Sequence, residues 1–227
     1  KSRGNVINPD DVIREFGADS MRLYEMFMGP LNKAAPWSTD GIPGCFRFLQ
    51  RVYRLICGER GDQARELPEG EGSESQRRLL ARTVEKVGAD IESFDFNTAI
   101  SALMVFVREI ERDGPIPRAA AETLLKLLAP LAPHLAEELW EKLGCEELLA
   151  YAAWPEADPA WLVEEQITLS VQVSGKMRAR VSVPADADEE LSRQIALRDP
   201  AVQRHVGDRP LSRVVFVPGR LINFVVR

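Results

Sequence analysis

Cationic side chains are the residues in this 227-residue sequence whose types and spacing point to chemistry. Arg47, Arg51 and Arg54 recur at i, i+4 and i+7, one face of a helix opposite Phe46, Leu49, Val52, Tyr53 and Ile56. Lys176, Arg178 and Arg180 alternate with Met177, Ala179 and Val181, which puts three cations on one face of a strand. Like charges so close repel unless an anion lies against them, so the strand row reads as a contact to a polyanion. For the helix row, a solvated face serves as well as a phosphate backbone. Arg204, Arg209, Arg213 and Arg220 are scattered through loops and strand ends and count only as a group.

Other reactive types are sparse. Cys45, Cys57 and Cys145 are odd in number and form no C-x-x-C pair, which argues against a disulfide framework and a zinc site and for small core residues in a reducing compartment. His134 has no Cys or second His near it and reads as a helix-start or core residue. Trp140, Trp154 and Trp161 stand among apolar neighbours without an adjacent cation, so they read as core and linker anchors, not base-stacking platforms. Lys1-Ser2-Arg3-Gly4-Asn5 alone is a short polar loop. A start at Lys1 within such a loop, in place of Met, reads as a cut from a longer chain.

The elements that must position these residues follow from patterning. With 45% apolar and 28% charged residues the chain is of ordinary globular composition, enough for one large domain or a larger and a smaller one. No apolar run reaches the roughly 18 residues of a membrane span, and no signal peptide opens the sequence, so a soluble intracellular protein is expected. Residues 1–165 carry 19 basic and 29 acidic side chains, whereas residues 166–227 carry 10 and 6, which makes the terminal part the better partner for a polyanion.

Asn8-Pro9-Asp10-Asp11 starts a helix that Gly17 ends, and a second runs from Ala18 to Met28 before Gly29-Pro30. Further helices are expected over 44–57, about 76–92, about 96–112 with Asp95 as cap, and 117–143 with interruptions at Pro130 and Pro133. Residues 58–76 hold six acids, two arginines and one large apolar residue, Leu67, and are expected to form a flexible acidic loop. After Pro155 to Pro159 the period changes to two. Residues 167–174 and 177–183 form a hairpin around Gly175, Asp188 and Asp199-Pro200 open helices, and 213–217 and 221–226 are strands around a type II turn at Pro218-Gly219. The expected fold is mainly an α-helical bundle followed by a small α+β C-terminal domain, divided as 1–40, 41–160 and 166–227.

Three sets of residues carry a family resemblance. Lys1-Ser2-Arg3-Gly4-Asn5, followed by Asn8-Pro9-Asp10 and Gly17-Ala18-Asp19-Ser20-Met21-Arg22-Leu23-Tyr24, resembles the segment after the K-M-S-K-S motif of class I aminoacyl-tRNA synthetases, with Lys1 and Ser2 at its last two positions. Asp95-Phe96-Asn97-Thr98-Ala99-Ile100 and Leu128-Ala129-Pro130-Leu131-Ala132-Pro133-His134-Leu135-Ala136-Glu137-Glu138-Leu139-Trp140 resemble the helical anticodon-binding-type domain of the leucyl, valyl, isoleucyl and methionyl enzymes. Trp37-Ser38-Thr39-Asp40-Gly41-Ile42, Val171 to Arg178, and Val217 to Val225 resemble the bacterial-type leucyl enzymes. Ser174 and Met177 depart from that pattern, where Asn and Val are expected.

The resemblance implies tRNA(Leu) and the remainder of a synthetase chain as partners, with neither membrane nor DNA, a cytoplasmic setting, and no metal site in this stretch. It implies ATP as a substrate of the intact enzyme, with Lys1 as the catalytic loop lysine and Lys1 and Ser2 at the nucleotide, and leaves this stretch alone inactive. A lysine there acts by stabilising developing phosphate charge away from water. Contacts to tRNA are expected from Lys176, Arg178, Arg180, Arg47, Arg51, Arg54 and Arg220. The alternatives are a valyl or isoleucyl enzyme, whose usual coiled-coil or zinc-binding extension is not evident, a free-standing RNA-binding module, or a helical scaffold for protein partners.

Overall fold

A computed structural model of the chain describes residues 7–59, 61–163, 166–207 and 209–226. They fall into two compact units, Lys1–Leu162 and Val163–Arg227. The polar start of the sequence, with Lys1 and Ser2, lies outside the described residues.

In the first unit, α1 (Pro9–Phe16) is opened by the Asn8 side chain, which accepts from the Asp10 amide, and Gly17 at φ +84° turns the chain into α2 (Ala18–Phe27). Next come α3 (Ile42–Cys57), α4 (Glu74–Glu92), α5 (Phe96–Asp113), α6 (Arg118–Leu128), α7 (Pro133–Lys142) and the short α8 (Pro159–Leu162). Two facing helical rows, Val52 and Ile56 on α3 and Ile100, Leu103, Val107 and Ile110 on α5, are buried with Leu124 and Leu125 of α6. The long helix expected over 117–143 is two helices, because Pro130 and Pro133 remove amide donors and Pro133 starts the second. Helix α4 starts two residues earlier than expected, where Ser73 and Gln76 form a reciprocal capping box. The Asp95 side chain does not cap α5; it accepts from Ser93 Oγ instead.

The described residues of the acidic segment over 58–73 form no regular helix or strand, yet they are pinned in several places. Leu67 is buried, Pro68 accepts from the Arg118 amide, Gly61 from the Tyr53 hydroxyl, and Asp62 from Lys142. Its composition supplies too little apolar surface for self-order, and neighbouring helices supply the partners.

The second unit runs β1 (Gln166–Val173), β2 (Lys176–Pro184), α9 (Glu189–Arg198), α10 (Pro200–Val206), β3 (Leu211–Val217) and β4 (Leu221–Val226). The sheet order is β2-β1-β4-β3, with β1 parallel to β4 and the outer pairs antiparallel. Both helices pack on one face. Leu169, Val171, Val173, Val181, Val183, Ile222 and Phe224 bury there against Ala196, Val202 and Val206. Asp188 and Asp199 cap α9 and α10 through their side chains. The chain is therefore mainly helical with a small α+β terminal part.

Candidate nucleic-acid interface

On α3 the period of 3.6 holds: Cys45, Phe48, Leu49, Val52 and Ile56 face the core while Arg47 and Arg54 are exposed and Arg51 half-buried. Their roles then separate. Arg51 Nε donates to Glu111 on α5 at 2.6 Å, and this hydrogen bond raises the guanidinium pKa further. Arg47 and Arg54 have no hydrogen bond or ion pair among the described residues. Below them a cleft of about 620 Å³ is lined by Arg51, Arg54 and Arg65 together with Glu59 and Glu111. Arg65 escaped the sequence reading because it lies in the acidic segment. Its only sequence signal is a cation among acids, and the Arg65 amide bond to Ile56 O is what brings it to α3.

The hairpin row is altered. Ser170 pairs with Arg180 and Val171 with Ala179, but Gln172 pairs with Met177, so Arg178 is the extra residue of a β-bulge. A bulge shifts the following residues to the other face. Met177, not Lys176, therefore joins Gln172 on the open face, 55% exposed, and Lys176 stands opposite the buried Val173 at the hairpin end. The expectation of three cations on one strand face is thus corrected to Arg180 alone. Arg178 is half-buried, its Nε without a partner.

The open face gains Arg213 instead, which pairs with Val225 beyond a second irregularity at Ser212. Arg180 on β2 and Arg213 on β3 thus flank Ser170, Gln172, Asn223, Leu221 and Val215 across a four-stranded sheet about 14 Å wide between its edge strands. Arg220 is exposed in the β3–β4 turn, where Gly219 has φ +70° and the Arg220 amide donates to Val217 O, the geometry of a type II turn. Arg204 and Arg209 spend donors on nearby carbonyls, Pro200 O for the first and Val206 O for the second.

Trp140 and Trp161 do meet cations, brought from afar by the fold. Arg77 lies over Trp161 at 4.3 Å from the ring centroid, with Arg78 at 5.6 Å, and Lys126 lies 5.6 Å from that of Trp140. These contacts hold the chain leaving the bundle against α4 and close α7 on α6. The motif Trp37 to Ile42 folds onto α2: Trp37 stacks edge-on to Tyr24 at 5.2 Å, and the Tyr24 hydroxyl donates to Ser38 O. A Cβ at Gly41 would lie 2.3 Å from the Tyr24 ring, so only glycine fits there. Among the described residues no group of three or more His, Cys, Asp or Glu is placed to hold a metal ion, and no helix is long and apolar enough to cross a membrane.

A helical bundle with an arginine row, leading into a small sheet domain with cations on its open face, has a known counterpart. The family model described as the anticodon-binding domain of tRNA ligase matches residues 77–193, from within α4 to within α9. The chain belongs to this family. The chain is also 45% identical over its whole length to "Leucine--tRNA ligase" of Rhodopirellula baltica, covering 24% of that protein. Among solved structures it resembles the agnB2 LeuRS of Agrobacterium radiobacter, solved as a ternary complex with tRNA and LeuAMS. The TM-score is 0.77 at 33% identity, covering all of this chain and 31% of that one. The chain thus spans about a quarter to a third of the length of these relatives.

Proposed function

We propose that this chain is the tRNA-holding C-terminal part of a leucyl-tRNA synthetase, whose intact form joins leucine to tRNA(Leu) with ATP by way of leucyl-adenylate. The observation that carries this reading is identity of 45% along the entire chain to a leucine–tRNA ligase. Arg47 and Arg54 on α3, and Arg180, Arg213 and Arg220 on the terminal sheet, are cations without a side-chain hydrogen bond or ion pair among the described residues and so are free to meet phosphate. Arg51 follows once Glu111 releases it, and Lys176 and Arg178 contribute from the hairpin end. Folded RNA is held by shape and backbone charge, which suits dispersed arginines better than a base-reading pocket. Lys1 and Ser2 act on ATP only within the intact enzyme, and the chain alone binds without catalysing. The setting is the cytoplasm.

The test is gel retardation of the chain with a tRNA(Leu) transcript at increasing salt. Retardation that weakens steeply with salt is expected, since each phosphate contact releases counterions. A chain that shifts no tRNA at low salt would overturn the reading.

A further inference from the structure

We propose that Gln172 and Asn223, side by side at the centre of the open sheet face, bind the edge of one unpaired purine of the RNA, a base contact that rests on the tRNA reading above and adds to its backbone grip. The two residues are register partners in the parallel β1–β4 pair, and their neighbours Val171, Val173, Ile222 and Phe224 are all buried on the helix-covered face. Gln172 and Asn223 therefore both project from the other face, on strands about 4.8 Å apart. Across the sheet the row runs Met177, Gln172, Asn223, Val215, so an amide pair stands between two apolar side chains. Phe216 and Phe224, the aromatic residues of the sheet, project to the helix side, so this face meets a base by its edge and not by stacking.

Hydrogen bonding fixes what this pair offers. The Gly175 amide can only donate, so the Asn223 atom that meets it at 3.1 Å is the oxygen, and the Asn223 NH2 group points away from the hairpin turn as a preorganised donor. Neither that group nor the half-buried Gln172 amide has a hydrogen-bond partner among the described residues. A fixed donor beside an amide that can donate or accept matches a purine. The imidazole-side ring nitrogen accepts in both adenine and guanine, and the exocyclic group next to it is a donor in the first and an acceptor in the second. A pyrimidine lacks that ring nitrogen. The amide row carries no charge, and Arg180 and Arg213 on the edge strands are left for the flanking phosphates. Unpaired bases are the ones whose edges a protein can reach in RNA, since the deep groove of the double helix hides them.

The experiment titrates the whole chain, as wild type, Gln172→Met and Gln172→Ala, with a tRNA(Leu) transcript over a range of salt. A second transcript is made from deaza-purine nucleotides, in which a C–H group replaces the ring nitrogen. Both variants should bind the ordinary transcript about tenfold more weakly at every salt concentration, with wild-type salt slope and Tm, because a base contact releases no counterion and Gln172 holds no partner within the fold. The deaza transcript should weaken wild type by a similar factor and the variants by much less, since the two points of contact fail together. Wild-type affinity in both variants, a flattened salt slope, or equal weakening of wild type and variants by the deaza transcript would overturn the base contact while leaving the tRNA reading in place. A wild-type chain that binds no tRNA at low salt would overturn that reading, and the base contact with it.

Discussion

The side-chain oxygen of Asn223 accepts the backbone amide of Gly175 at 3.1 Å, so strand β4 holds the turn of the β1–β2 hairpin. Ser174 and Gly175 both have positive φ, +49° and +79°, as a two-residue type I′ turn requires. Serine is a poor occupant of that conformation and asparagine a good one. Ser174→Asn should stabilise the second unit by about 0.5–1 kcal/mol, and Asn223→Ala should destabilise it by about 1 kcal/mol. Denaturant unfolding followed through the strand signal checks both, and a destabilised Ser174→Asn would show the turn to be held otherwise.

The Arg51–Glu111 pair predicts an order among the α3 arginines. Arg47→Gln and Arg54→Gln should each weaken tRNA binding more than Arg51→Gln, because Arg51 already has a carboxylate. Glu111→Gln should tighten binding by freeing Arg51, at a stability cost of at most about 1 kcal/mol for a partly exposed pair. Titration of the four variants with tRNA at fixed salt gives the order.

The bulge at Arg178 makes a prediction that a regular hairpin does not. Arg180→Gln with Arg213→Gln should flatten the salt dependence of tRNA binding, by up to about 0.9 in slope per phosphate contact on the duplex-DNA scale, and Lys176→Gln should change it less. Equal effects from Lys176 and Arg180 would mean that the tRNA grips the hairpin end instead of the open sheet face.

Burial pushes the Cys45 thiol from near 9 up to about 11. The folded state thus holds this proton more tightly than the unfolded chain. Stability from the neutral thiol is complete below pH 9 and lost as pH rises from about 9 to 11. Thermal unfolding from pH 8 to 11 should show a steady fall in Tm, flatter in Cys45→Ala, although that variant starts lower because of the cavity it leaves. An identical slope in the variant would assign the alkaline loss to other groups.

Much of this molecule follows from the sequence alone because its signals are local. The Asn8, Asp188 and Asp199 caps each act within three residues, the proline breaks at 130 and 133 act on their own turn, and the apolar period fixes which side of α3 is buried. These decide the helical bundle and the small α+β part, and the motifs around Asn97, His134 and Gly175 decide the family. Contacts between distant residues were decided only by tertiary structure. Register selects the extra residue of β2 and so moves Lys176 off the open face; packing places Arg77 on Trp161, pins Leu67, and turns Asp19 into the cap of a helix that begins 114 residues later. A pattern of one side chain in two or in 3.6 assumes an unbroken element, and it cannot register partners that only the folded chain brings within hydrogen-bonding distance.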